Sequence, residues 1–182
     1  MKFLTMRKAK EVRSKTGLNE SAIIKSAETR GGKNCFLSHS SKDHAHLADV
    51  ISFLEEFGAR VYIDKEDSLL PQQTSRATAE ALKSRINDYR RLVILASTNS
   101  KTSRWIPWEI GLADAIKDIR SIAILPLTSN DDESAFNWIE QEYLCLYRQI
   151  VQGSLDGYTT PQWMALDRQA NTAIPLSDWF VS

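Results

Sequence analysis

An α/β fold, with a parallel sheet covered by helices on both faces, is what this 182-residue sequence predicts. Three observations carry that expectation. From Lys33 onward short β-rich runs alternate with longer stretches of helical spacing, the pattern of βαβ units. The helical stretches carry an apolar face, as at Leu47, Val50, Ile51 and Leu54, that suits packing on a sheet. The length and a 42% hydrophobic content fit one domain with additions.

In chain order, residues 1–33 are polar and charged, with helix-compatible spacing over Met6 to Lys15 and Glu20 to Glu28. Gly31-Gly32 breaks any helix there. This segment is expected to be a basic, partly helical N-terminal arm. Strands are expected at Cys35 to Ser38, Arg60 to Asp64, Arg91 to Ser97 and Ser121 to Leu127. The intervening helices fall at Asp43 to Phe57, Arg76 to Ile86 and about Trp105 to Lys117. Beyond Leu127, Asn130 to Ile139 reads as a short helix and Gln141 to Arg148 as a fifth strand, with Gln149 to Gly157 leading away. Residues 34–158 then form the main domain. The 159–182 tail, with Pro161, Trp163, Pro175, Trp179 and Phe180, is too aromatic for disorder and is expected to pack back on it.

Basic and acidic side chains balance at 23 each, so the whole chain has no net field to concentrate nucleic acid or anionic membrane. No nucleic-acid or membrane partner is expected. The distribution is uneven: residues 1–33 hold nine basic against three acidic side chains, leaving the remainder with an acidic excess of six. Such an arm is more often solvated, or docked on its own acidic domain, than bound to nucleic acid. Cys35 and Cys145 fall in apolar segments that read as strands, where reduced cysteine packs as a small hydrophobe. No apolar run approaches the roughly 18 residues that span a bilayer, and MKFLTMRKAK lacks the h-region of a secretory signal. A cytoplasmic location is the expectation.

Ligands of an open parallel sheet collect outside the carboxyl ends of its strands. That rule selects Ser38 to Asp43, Asp64 to Asp67, and Ser97 to Arg104 leading into Trp105. The serine-rich first turn offers hydroxyls and backbone N–H groups at a helix start, suited to phosphate oxygens, although on the residues alone the reading of Asp43 as an ordinary helix cap prevails. On the helix from Trp105, spacings of three and four put Trp105, Trp108, Glu109, Leu112 and Ile116 on one side. Glu109 thus shares a face with two indoles. It is either a satisfied edge residue or a partly desolvated carboxylate that would interact strongly with a cation. Other chemistries lack their motifs. His44 and His46 share no face and have no further ligand, so no metal is expected; no glycine-rich phosphate loop and no nucleophile elbow occur.

The ordered set of pieces resembles a Toll/interleukin receptor (TIR) domain of the bacterial, stand-alone kind. The resemblance rests on Phe36-Leu37-Ser38-His39-Ser40-Ser41-Lys42-Asp43, Val61-Tyr62-Ile63-Asp64, Leu69-Leu70-Pro71, Leu92 to Ser97, and Ser103-Arg104-Trp105-Ile106-Pro107-Trp108-Glu109-Ile110. It implies a flavodoxin-like three-layer sandwich with about five parallel strands. It also implies cleavage of NAD into nicotinamide and an ADP-ribose product, linear or cyclic, in an antiphage response. The family's catalytic glutamate matches Glu109. Its substrate-contacting positions map onto His39, Ser40, Ser41, Glu66 and Trp105. NAD is then substrate, with no cofactor, and the implied partners are further copies of the chain through TIR surfaces and a separate effector protein that senses the product. One departure is that Pro71 is followed by Gln72 and Gln73 where the family often has glycine, which bears on that loop and on assembly through it.

Elementary chemistry agrees with this role. Most glycosidases need a second carboxyl group to protonate the leaving oxygen. Nicotinamide in NAD is already a pyridinium and leaves neutral, so one carboxylate suffices to stabilise the oxocarbenium-like ribose. Trp105 would wall off water, and that exclusion decides between water and an internal adenine nitrogen as acceptor. Competing readings are a non-catalytic TIR interaction module and nucleoside glycosyl transfer on a related scaffold. A phosphoacceptor role for Asp64 is weaker, because Ser38-His39 stands where a companion acidic pair would be.

Overall fold

The computed structural model describes residues 1–29, 31–64, 76–100, 103, 105–129 and 144–182, with 76–78, 105 and 144 described by backbone alone. The helix expected at Asn130 to Ile139 lies outside the described residues, as do Glu66 and Leu69-Leu70-Pro71.

The strands are β1 (Leu4–Thr5), β2 (Cys35–Ser38), β3 (Val61–Tyr62), β4 (Arg91–Ala96), β5 (Ile122–Thr128), β6 (Arg148–Gly153), β7 (Gln162–Asp167) and β8 (Thr172–Pro175). The helices are α1 (Met6–Thr16), α2 (Glu20–Ala27), α3 (His44–Glu56), α4 (Arg76–Asp88), α5 (Trp105–Ile116) and α6 (Leu176–Val181). The sheet runs β3-β2-β4-β5-β6-β7-β8. β2 to β6 pair in parallel throughout, so the five parallel strands, taken in chain order, lie 2-1-3-4-5. That is the flavodoxin-like order. β7 and β8 extend the sheet in antiparallel register.

Successive side chains of a strand point to opposite faces, and here both faces are apolar. Leu37, Val93, Leu95, Ala123 and Leu125 face the layer that contains α3, with Val50, Ile51 and Leu54 buried against them. Phe36, Leu92, Ile94, Ile122 and Ile124 face the other layer, meeting Leu82 and Ile86 of α4 and Ile106 and Ile110 of α5. Burial on both sides explains why these runs read as continuous apolar stretches.

The basic arm is folded onto this frame. The Thr5 hydroxyl accepts from Lys8 N at 3.1 Å to start α1, and Gly17, at φ 68°, ends it in a left-handed cap. Asn19 caps α2 at 2.8 Å. Ala9, Val12, Ile23 and Ala27 enter the core beside α3, and Arg13 forms an ion pair with the buried Asp49 of α3. β1 pairs with Leu127–Thr128 at the carboxyl end of β5, while Lys2 exchanges backbone bonds of 2.7 and 2.8 Å with Gln152 of β6. The first residues therefore fill the fork where β5 and β6 diverge.

The tail packs back as β7, β8 and α6, with Trp163, Trp179 and Phe180 buried. The fifth parallel strand requires a correction. It is not Gln141 to Arg148 but Arg148–Gly153, and Leu144–Leu146 is a 3-10 turn that also takes Cys145 out of a strand. The strand is disguised by polar residues: Gln149 is 2% exposed, and its Oε1 accepts from Arg168 Nε at 2.7 Å. No helix among the described residues is long and apolar enough to cross a membrane.

Candidate active site

β2 ends at Ser38, which has no exposed surface, and from there the chain turns into α3. Glu109 comes to the same point from α5. Its carboxylate is 2% exposed, and Ser38 Oγ donates to its Oε2. Among the described residues Oε1 has no hydrogen-bond partner. The face of α5 that holds Glu109 against the sheet is Ile106, Glu109, Ile110 and Ala113, all buried. The expected grouping with Trp108, Leu112 and Ile116 is therefore corrected. Trp108 and Leu112 are half-buried and Ile116 is 39% exposed. Two apolar stripes offset by one position both contain Glu109, and spacing alone does not choose between them. The aliphatic stripe wins because it packs on the flat face of the sheet.

Burial of an ionisable group penalises its charged form. Desolvation pushes the Glu109 carboxyl up to about 7; the Ser38 bond opposes the rise and the charge of Asp64 adds to it. Asp64, just after β3, is itself buried and ion-paired with Arg85 of α4. His39 is partly buried with Nδ1 3.4 Å from Leu37 O. Desolvation holds its pKa below the ordinary histidine value. A carboxyl that titrates near neutrality thus sits where the carboxyl ends of β2 and β3 meet α5.

The turn after β2 is fixed from below. Ser40, 8% exposed, starts a short 3-10 turn at Ser41–Asp43, its hydroxyl accepting from Lys42 N at 3.4 Å; Ser41 is exposed. Asp43 occupies the cap position of α3 yet makes no capping bond, which corrects its reading as an ordinary cap. Its buried carboxylate instead takes Ser97 Oγ, 2.8 Å from both oxygens, and Asn99 Nδ2 at 2.6 Å. Ser97 and Ser100 close the loop after β4 on each other, through Ser97 N to Ser100 Oγ at 2.9 Å and Ser100 Oγ to Ser97 O at 2.6 Å. The first and third strand-end loops are thereby one unit.

Residues 35–151, from β2 through most of β6, match the model of the TIR domain family. The chain belongs to the TIR domain family. A relative in Bacillus cereus (strain MSX-D12), named "Probable 3' cyclic ADP-D-ribose synthase ThsB'", is 34% identical over 122 residues, covering 66% of this chain and 61% of the relative. The chain thus spans about three fifths of that relative's length.

The TIR match takes in the five parallel strands, Glu109 and the turn of His39, Ser40 and Ser41; β1, α1, α2, β7, β8 and α6 lie outside it. Of the positions expected to contact substrate, His39, Ser40 and Ser41 follow directly on Ser38, the residue bonded to Glu109. Trp105 opens α5 by its backbone, its side chain being outside the described set, and Glu66 is outside the described residues. Sequence reasoning placed Ser38, Asp43, Ser97 and Asn99 at the strand ends but missed the bond of Ser38 to Glu109 and the Asp43–Ser97–Asn99 unit. A hydroxyl as the last residue of an otherwise apolar strand was the available signal for Ser38. Among the described residues no group of three or more His, Cys, Asp or Glu is placed to hold a metal ion.

Proposed function

We propose that this TIR protein cleaves the nicotinamide–ribose bond of NAD, with Glu109 as the catalytic carboxylate. The observation that carries the proposal is the buried Glu109 carboxyl, raised to about 7 and held by Ser38 at the carboxyl end of the sheet. A carboxyl this desolvated favours an incoming cation, because a positive charge restores its ionised form. The pyridinium of NAD supplies that charge in the ground state. As the bond breaks, the charge moves onto the ribose and nicotinamide departs neutral. The ionised Glu109 stabilises the oxocarbenium-like sugar or holds its hydroxyls, and no general acid is needed.

The turn of His39, Ser40 and Ser41 is the proposed seat of the substrate's polar groups, with Glu66 and Trp105 completing the site. A neutral His39 can donate or accept there without opposing the pyridinium charge. The name of the Bacillus cereus relative, "Probable 3' cyclic ADP-D-ribose synthase ThsB'", supports a cyclic product, formed when an atom of the ADP-ribosyl group takes the place of water. Production of a signal, or depletion of NAD, in cytoplasmic antiphage defence is the corresponding biological role, with self-association and a product-sensing effector as partners. Glu109→Ala is expected to abolish nicotinamide release while the protein remains folded by circular dichroism. Unchanged turnover in that variant contradicts the assignment.

A further inference from the structure

We propose that Ser38 is the positioning residue for Glu109: its hydroxyl, donated from the end of β2 to Oε2, fixes the carboxylate and leaves Oε1 for the ribosyl group. The inference rests on the reading of Glu109 as the catalytic carboxylate.

The geometry singles out Ser38 in three ways. It has no exposed surface, so its hydroxyl is not there for solvent. A buried hydroxyl without a partner is costly, and the partner it has is Glu109, across 71 positions of sequence. Its backbone is locked in register with Ile94 of β4, so the donor is mounted on the central part of the sheet rather than on a mobile side chain. A glutamate on a helix has three rotatable side-chain bonds; one donor at Oε2 removes most of that freedom and dictates where Oε1 lies.

The same bond favours the ionised form of Glu109, against burial and against Asp64. The charge that acts on it is Asp64 after β3, itself ion-paired with Arg85 on α4; His39, whose pKa burial lowers, follows Ser38 in the chain. Among the described residues none of these donates a hydrogen bond to Glu109. Ser38 is therefore the group whose removal leaves the carboxylate both less ionised and free to rotate.

The test compares Ser38→Ala and Ser38→Thr with wild type, using nicotinamide release across pH and direct titration of Glu109 by carbon-13 NMR of labelled glutamate without NAD. Glu109→Gln identifies the resonance. In Ser38→Ala the Glu109 titration and the acid limb of kcat/KM are expected to move together to higher pH, by about one unit for the loss of one charge-assisted bond. At neutral pH kcat should fall on the order of a hundredfold with KM little changed. Ser38→Thr, which keeps a hydroxyl, should restore the titration and part of kcat. An active wild type whose Ser38→Ala variant keeps the same titration and turnover overturns the inference and leaves NAD cleavage standing. A wild type that releases no nicotinamide, with a shifted titration in Ser38→Ala, contradicts the functional reading while supporting the Ser38–Glu109 contact.

Discussion

A carboxyl group buried to 2% exposure beside another acid is an expense to the fold, and the pH at which it is felt follows from its pKa. The folded state holds the Glu109 proton more tightly than the unfolded chain does, so stability from this group is fully present below the ordinary carboxylate range. It is lost as pH rises through about 7. Glu109→Gln escapes that loss. At pH 8 the variant should be more stable than wild type, by about 3 kcal/mol at most for a shift of this size, and at pH 4 the advantage should be gone. Melting temperatures at the two pH values check this, and equal melting at pH 8 contradicts the burial. Ser97→Ala is the complementary case. Removing the hydroxyl 2.8 Å from both Asp43 oxygens leaves a buried carboxylate short of a donor, which should cost about 1–3 kcal/mol in denaturant unfolding. Glu109 was legible at this scale because it stood on a helix beside apolar residues at the mouth of a sheet. Ser38 and the role of Asp43 were not, because their partners lie 71 and 54 positions away and local pattern carries no such information.

The parallel strands and the three helices between them were legible as elements because each combines length, periodicity and apolar content that tertiary packing rewards. β6 was not, since its buried Gln149 draws its partner Arg168 from the turn after β7, a pairing that period-two reading does not contain. The same holds for β7, β8 and α6, where aromatic content signalled packing but not strand order. Arg90 donates to Val181 O of that tail at 2.8 Å, and Arg91 makes several contacts with it. Arg91, at the start of β4, donates to Trp179 O at 2.6 Å, to Ser121 Oγ at 3.1 Å and to Ser182 O at 3.0 Å, and its guanidinium lies 5.0 Å from the Trp179 ring centre. Trp179, 1% exposed, also packs against Phe180 and donates to Arg120 O at 2.9 Å. Trp179→Ala should cost about 3–5 kcal/mol, as for other buried aromatic truncations, read as a lower denaturation midpoint. At the other end of the chain, Arg13→Ala leaves Asp49 without its ion-pair partner. It should lower the melting temperature more than Lys10→Ala on the exposed side of the same helix.

At the scale of the molecule, the TIR match ends where the sheet turns antiparallel, and the chain adds a docked two-helix segment before it and a hairpin and helix after it. The fold class followed from alternation alone, whereas the use of the site required a chemical argument about the leaving group. Of the competing readings, a purely structural TIR module gives no reason to bury a carboxyl and then bond it with a single hydroxyl. The activity should rise with pH through about 7, because the free protein must lose the Glu109 proton before the cationic substrate binds productively. The most direct test is incubation of the purified protein, wild type and Glu109→Gln, with NAD at pH 8, followed by chromatographic separation with mass detection. Wild type should yield nicotinamide together with an ADP-ribose product, and Glu109→Gln neither. Nicotinamide release by Glu109→Gln at the wild-type rate, or none from wild type, would contradict the account.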